Sequence, residues 1–220
     1  MSVVDRSSRR QLALVIATGL VLGLSLIGSP YPHNQALQHA PSVIALALLA
    51  VSARRGWLTN PASYCLVMFL WLHILGARYI YSFVPYDDWS RSVLGPGISE
   101  WFGWERNHYD RLVHLCFGGL WMVAVSEMVL DRGRMSVGQA VLWSFLAVTT
   151  ISGVYEIFEW LLTVVVSPAR AQEYNGQQGD SWDAQKDMAL ALVGSLVAIP
   201  VVTGLNRNDR KDRNAETAGS

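Results

Sequence analysis

Long apolar blocks are the feature that most constrains what this chain can fold into. Six segments of 17 to 30 residues carry few charged side chains or none; they cover about residues 12–28, 36–53, 61–83, 111–130, 137–166 and 187–205. A helix rises about 1.5 Å per residue and the hydrocarbon core of a bilayer is about 30 Å thick, so segments of this length can cross a membrane. We therefore predict an all-α, polytopic transmembrane helix bundle of about six spans.

Composition argues against other classes of protein. Charged residues make up 15% of the chain, against about 25% in an average protein, and so apolar a chain is not disordered. The formal net charge is zero, which argues against a nucleic-acid binder. Cys65 and Cys116 are too few for a disulfide framework. The partner predicted from composition is the lipid bilayer, and the oligomeric state stays open.

The basic residues predict how the spans are oriented. Eleven of the 17 Lys and Arg residues flank span ends that share one membrane face: Arg6, Arg9, Arg10, Arg54, Arg55, Arg132, Arg134, Arg207, Arg210, Lys211 and Arg213. The positive-inside rule makes that face cytoplasmic, so both termini are predicted to be cytoplasmic. The predicted location is the cell (inner) membrane, with loops 29–35, 84–110 and 167–186 outside.

The same pattern predicts the domain organisation. Residues 1–205 form a single transmembrane helical domain, and residues 206–220 form a disordered polar cytoplasmic tail. An alternative makes residues 1–28 a cleavable signal peptide, because a basic start precedes an apolar run.

Ionisable side chains within or beside the spans are the candidate functional residues. Near the bilayer centre such a side chain costs at least about 2.5–3.5 kcal/mol on insertion scales, so it needs a reason to be there. The predicted topology puts four clusters in the outer half of the membrane: His73 with Arg78 and Tyr79, Asn107 to Arg111 with His114, Glu156 with Glu159, and Asp180 to Asp187. Spacings of three or four residues, as in Asp110 and His114 or Asp183 and Asp187, put each pair on one helix face.

Carboxylates and imidazoles gathered at one level predict a site for a cation. Hard divalent ions take carboxylate oxygens and borderline ones also accept imidazole, so the cofactor that this set would hold is a divalent metal ion. The candidate metal ligands are Asp183, Asp187, Glu159 and His114. The candidate catalytic residues are Glu156 and Glu159 as general bases, with His114 and Arg111. Binding roles are predicted for His73, Arg78, Tyr79, Asn107, Asp110, Asp180 and Gln185.

The same residues also allow a purely structural interpretation. Asp110 with His114, or Asp180 and Asp183, could cap the helices that they begin. Glu156 and Glu159 could pair with Arg78 and Arg111 in a buried ion network. No H-E-x-x-H, paired C-x-x-C, G-x-S-x-G or Walker motif is present, so the metal hypothesis rests on the convergence of the clusters alone.

Several sequence blocks between about residues 40 and 200 also carry a family resemblance. They are Leu72-His73 with Gly76, Tyr79-Ile80-Tyr81, Val84-Pro85, Asn107 to His114, Tyr155 to Trp160 and Gln177 to Met188. In this order they resemble the YjdF-type inner-membrane proteins, a bacterial multi-pass family without an assigned biochemical role. Arg78 and Ile80 depart from that pattern, in which we expect His and Thr.

A fainter resemblance is to VanZ-like membrane proteins. Asp110 to His114 and Asp180 to Asp187 are similar to two of their blocks, with Arg111 in place of Lys and Asp187 in place of Asn. This resemblance implies a shared architecture and an envelope-related setting, and it names no substrate.

Three functions stay open at this point. The first is an integral membrane protein whose outer polar site acts on a lipid or lipid-linked envelope substrate. The second is a structural or partner-binding membrane protein in which the charges clamp the bundle. The third is a proton or cation transporter, which the nearly charge-free inner halves of the spans favour least.

Overall fold

The computed structural model describes residues 3–133, 135–165 and 178–218, and these residues form helices and short connections without a strand. The helices are α1 (Val3–Ser25), α2 (Pro32–Arg55), α3 (Asn60–Arg78), α4 (Tyr86–Leu94), α5 (Ile98–Phe102), α6 (Tyr109–Gly133), α7 (Val137–Val165) and α8 (Asp183–Ala218). The predicted all-α class is confirmed. The backbone of α8 continues as a helix past residue 205, where we expected the last span to end.

Five of these helices are long and apolar enough to cross a membrane. They contain the segments Pro32–Arg55, Asn60–Arg78, Tyr109–Leu130, Val137–Val165 and Asp183–Asn208. Helix α1, which holds the first predicted span, does not belong to this set, because Arg9 and Arg10 lie within the helix and shorten its apolar part. It nevertheless packs along α2 and α3. The orientation of the termini stays a prediction.

Helix α3 joins two groups of packed helices. It packs against α1 and α2 on one side and against α6 on the other, while α6, α7 and α8 pack on one another. The helix ends at Arg78, five residues before the predicted end of this span at residue 83. It ends there because Ile80 and Tyr81 adopt left-handed backbone conformations with φ of 45° and 58°. The chain then turns into α4 and α5, which connect α3 to α6.

The backbones of helices α6 and α8 lie in close contact. A Cβ added at Gly118 would lie 2.0 Å from the carbonyl oxygen of Ala191, and one added at Gly194 would lie 2.0 Å from that of Leu115. The hydroxyl of Ser195 also donates to the carbonyl oxygen of Gly118 at 3.2 Å. Small residues allow two membrane helices to bring their backbones into contact, and here they fix which faces of α6 and α8 meet.

A buried carboxylate fixes the far end of α6 to α3. The two oxygens of Glu127 accept hydrogen bonds from the backbone N–H and the hydroxyl of Thr59, each at 2.6 Å. Thr59 precedes α3, whose first N–H groups lack partners within the helix and attract negative charge. Glu127 therefore caps a neighbouring helix.

Candidate functional site

The candidate site lies where α6 and α8 begin, at the opposite end of α6 from Glu127. On α6 the residues Asp110, His114 and Gly118 follow one another at four-residue intervals, and so do Asp183, Asp187 and Ala191 on α8. Residues four apart share a helix face. Because Gly118 touches Ala191, these two faces are opposed, and the carboxylates of α8 lie opposite Asp110 and His114.

Three residues in this interface form a cluster that could hold a metal ion. Asp110, His114 and Asp187 each offer one ligand atom, and these atoms lie within 4.8 Å of one another. Nε2 of His114 is 3.7 Å from Oδ1 of Asp110 and 3.5 Å from Oε1 of Glu156, which α7 brings to the same place. With Glu156 added, the cluster takes side chains from three helices.

Two oxygens of this cluster are buried without hydrogen bonds. Asp187 is 2% exposed and Glu156 is 5% exposed. Oδ1 of Asp187 and Oε1 of Glu156 have no hydrogen-bond partner within the described residues. A buried polar group without a partner costs about 1–3 kcal/mol, and more when it is charged. The cluster is thus chemically incomplete, and a bound cation would supply what these oxygens lack.

A layer of ion pairs covers the start of α8. Arg106 contacts Asp183 at 2.6 Å and Asp180 at 3.4 Å, while Arg111 pairs with Asp180 and lies 3.6 Å from Asp183. Lys186 contacts Asp180 at 2.6 Å. The Lys186 hydrogen bond, helped by the Trp182 N–H and by Arg111, lowers the pKa of Asp180 to about 2. Asp180 is therefore ionised at neutral pH and offsets part of the positive charge of Arg106, Arg111 and Lys186.

His108 accepts a hydrogen bond from this layer. Burial, followed by the positive charges of Arg111 and Arg106, lowers the pKa of His108 below its usual value. The neutral ring can accept from Nη1 of Arg111, whose distance to Nε2 is 3.2 Å. The imidazole ring also stacks on the indole ring of Trp104, with the ring centroids 4.3 Å apart.

Asn107 and Gln178 join the segments that lead into α6 and α8. The backbone N–H of Asn107 donates to Oε1 of Gln178 at 3.0 Å, and Nε2 of Gln178 donates back to the carbonyl oxygen of Asn107 at 3.1 Å. Oδ1 of Asn107 accepts the N–H of Tyr109, and Oδ1 of Asp180 accepts the N–H of Trp182, both at 3.0 Å. Asn107 and Asp180 therefore stabilise the turns that lead into α6 and α8.

Glu159 lies beside the cluster, whereas Gln185 does not. Glu159 is on the next turn of α7 after Glu156 and shares a hydrogen bond with Tyr155. Gln185 is exposed, and its position two residues from both Asp183 and Asp187 puts it on the other face of α8.

The first predicted cluster lies apart from the other three. Nε2 of His73 donates to the carbonyl oxygen of Gln38 at 2.9 Å, and its Nδ1 accepts from the hydroxyl of Tyr81. Arg78 donates to carbonyl oxygens at the end of α1, among them Ile27 at 3.0 Å. Its guanidinium also lies 5.7 Å from the ring of Tyr79. These residues connect α3 to α1 and α2, and the structure does not bring Arg78 to Glu156.

Sequence reasoning missed three features of the site. It assigned no role to Arg106, although a basic residue directly before Asn107 was a signal. It did not single out Gly118, although this glycine continues the four-residue spacing of Asp110 and His114. It also overlooked His39, whose ring lies 6.3 Å from that of His73 in a buried polar cluster with Gln35.

Comparison with known proteins places the chain in a family. A family model described as "Predicted membrane protein (DUF2238)" matches residues 10–208. The chain belongs to the DUF2238 family. A relative, the inner membrane protein YjdF of Escherichia coli (strain K12), is 36% identical over 168 residues, which cover 74% of each protein. No solved structure was found to match.

Membership of DUF2238 confirms two predictions. The resemblance to YjdF-type proteins is correct, and so is the prediction of a multi-pass protein of the inner membrane. The lipid bilayer therefore surrounds the membrane-spanning helices. The family description names no activity.

Proposed function

We propose that this DUF2238 protein binds a divalent cation in the buried cluster of Asp110, His114 and Asp187. The observation that carries the proposal is the meeting of three ligand atoms within 4.8 Å, next to two buried oxygens that lack hydrogen bonds. Glu156 is the fourth ligand, because its Oε1 lies 3.5 Å from Nε2 of His114.

The donor set favours a borderline transition metal. Imidazole suits zinc, iron, copper and nickel, whereas sites for magnesium and calcium are built from oxygen alone. The cluster combines one imidazole with carboxylates, which favours Zn²⁺, Fe²⁺ or Mn²⁺. Asp183 was a candidate ligand from the sequence, but its Oδ1 lies 2.6 Å from Arg106, which competes for that oxygen. We therefore propose Asp110 in its place.

A cation here would serve chemistry on a lipid or lipid-linked substrate. It would polarise a phosphoryl or carbonyl oxygen at the level of the membrane surface. Arg106 and Arg111, which contact Asp183 one helical turn before Asp187, could orient a phosphate, and Glu156 or Glu159 would then act as general base. The position of the cluster at one end of the membrane-spanning helices supports this substrate class.

Metal binding is tested by thermal unfolding of the purified protein in detergent. After chelation, Zn²⁺ or Mn²⁺ should raise the midpoint as its concentration rises, by the equivalent of about 2.7 kcal/mol at one hundred times the dissociation constant. The variants Asp187→Asn and His114→Gln should lose this gain.

Glu127→Gln is the matched control, because it also changes a buried carboxylate of α6 but at the other end of the helix. Its basal midpoint should fall while its gain with the ion is preserved. A wild-type midpoint that no divalent ion moves, together with no copurifying metal, would contradict the proposal.

A structural clamp is the second candidate, and the layer of Arg106, Arg111, Asp180 and Asp183 favours it. If the charges only hold α6 to α8, replacing Asp187 by asparagine removes a buried negative charge whose Oδ1 has no hydrogen bond within the described residues. Asp187→Asn would then leave the midpoint unchanged or raise it in chelator, and no ion would distinguish it from the wild type.

A further inference from the structure

A cavity of about 410 Å³ lies between α2 and α6, over one face of α3. We call it the α3 groove. Its walls are mostly apolar side chains of the three membrane-spanning helices, among them Ala45, Leu49, Leu66, Phe69, Leu70 and Trp121. It is separate from the cation cluster, which lies between α6, α7 and α8.

The α3 groove is open to the side, towards the bilayer. Leu48 lines it and is 58% exposed, whereas Leu49 on the inner wall is buried. Its wall on α2 runs from Ser42 to Ser52, a length of about 15 Å along the helix. No charged residue lines it. A space of this shape and polarity between membrane-spanning helices suits a hydrocarbon chain better than water or a polar ligand.

Basic residues stand at one end of the α3 groove. Trp57 lines that end, and the guanidinium of Arg55 lies 5.4 Å from the centroid of its ring. Arg54 and Arg55 close α2 and are both exposed. Tryptophan gathers at the level of lipid headgroups, and exposed arginines beside a membrane attract anionic lipids.

We propose that the α3 groove binds one acyl chain of an anionic phospholipid whose phosphate is held by Arg54 and Arg55. The apolar walls select the chain, and the two guanidinium groups select the headgroup. The lipid comes from the surrounding bilayer, from the leaflet next to the end of α2. This site holds a lipid as a lasting part of the fold and does not depend on the cation cluster.

The proposal is tested by native mass spectrometry of the full-length protein in detergent, titrated with dioleoyl phosphatidylglycerol or dioleoyl phosphatidylcholine. The wild type should bind one phosphatidylglycerol about tenfold more tightly than phosphatidylcholine. The double variant Arg54→Gln/Arg55→Gln should lose this preference. Ala45→Trp should weaken both lipids by about tenfold, because an indole fills the groove.

Ala47→Trp is the matched control, since Ala47 is exposed on the same helix but does not line the groove. It should bind both lipids as the wild type does. Leu48→Trp, at the exposed edge, replaces Ala45→Trp if that variant does not fold. Unchanged lipid binding in the groove variants would overturn the proposal. So would a wild-type dimer that Ala45→Trp converts to a monomer without loss of lipid, because a second copy would then cover the groove.

Discussion

Gly118→Ala should separate α6 from α8 and thereby disable the cation cluster. The new Cβ would lie 2.0 Å from the carbonyl oxygen of Ala191 and 2.9 Å from the backbone N of Ser195. Ordinary contact begins at 3.4 Å, so the two backbones must move apart by at least 1.4 Å. Both obstacles are backbone atoms, and no side chain can rotate out of the way.

The energetic cost follows from two opposing effects. Overpacking a tight interface costs about 1–3 kcal/mol, and the rigid backbone here places Gly118→Ala near the upper end. Alanine recovers about 1 kcal/mol because it favours the helix more than glycine does. The net loss of stability should be about 2 kcal/mol. The effect on the cluster should be larger, because metal–ligand distances tolerate changes of only about 0.2 Å.

The assay is thermal unfolding in detergent, followed by tryptophan fluorescence, in chelator and in a series of Zn²⁺ or Mn²⁺ concentrations. Gly119→Ala is the neighbouring control: its Cβ would meet its nearest atom, the carbonyl oxygen of Gly194, at 3.5 Å. That variant should keep both the midpoint and the gain with the ion. If Gly118→Ala had the same unfolding midpoint and the same gain with the ion as Gly119→Ala, the contact between α6 and α8 at Gly118 would not position the metal ligands.

Four further predictions concern other parts of the chain. The folded pKa of Asp180 is lowered to about 2, so Asp180→Asn should lower the stability by the same amount throughout pH 5–7. The difference in stability between variant and wild type should shrink as the pH falls from about 4 towards 2, which thermal unfolding at a series of pH values would measure. Glu127→Gln should lower the free energy of unfolding by about 1.5–3 kcal/mol in denaturant titrations, whereas Thr59→Ser, which keeps the hydroxyl, should cost less. Truncation after Asn208 should leave assembly intact on size-exclusion chromatography, since the tail holds few apolar residues. A reporter fused after Arg106 should report the outer face; a cytoplasmic signal there would refute the predicted orientation.

The helices and the faces of the site could be predicted because both follow from local spacing. Long runs with few charged residues marked the five long apolar helices. The intervals between Asp110 and His114 and between Asp183 and Asp187 assigned each pair to one face. Helix α1 was less clear, since Arg9 and Arg10 are helical although they flank the apolar run.

Which helix faces which could not be predicted, because contact between helices depends on residues far apart in sequence. The chain has 18 glycines. Gly118 continues the spacing of Asp110 and His114, but this spacing does not show that α8 packs there or that Gly194 meets Leu115. Similarly, the depth of His73 could be estimated from its position in the span, but its contact with Gln38 depends on how α2 packs. The pairing of Asp183 with Arg106 required the fold of the preceding loop.

The division of the cluster between α6 and α8 has a consequence for biosynthesis. Asp187 follows His114 by 73 residues, so the ribosome releases Asp110 and His114 long before their partner exists. Until α8 enters the bilayer and its Gly194 packs against Leu115, the acidic start of α6 has no opposing helix face. Affinity for a divalent ion would thus arise only after α8 has packed against α6, and metal loading would report that this contact has formed.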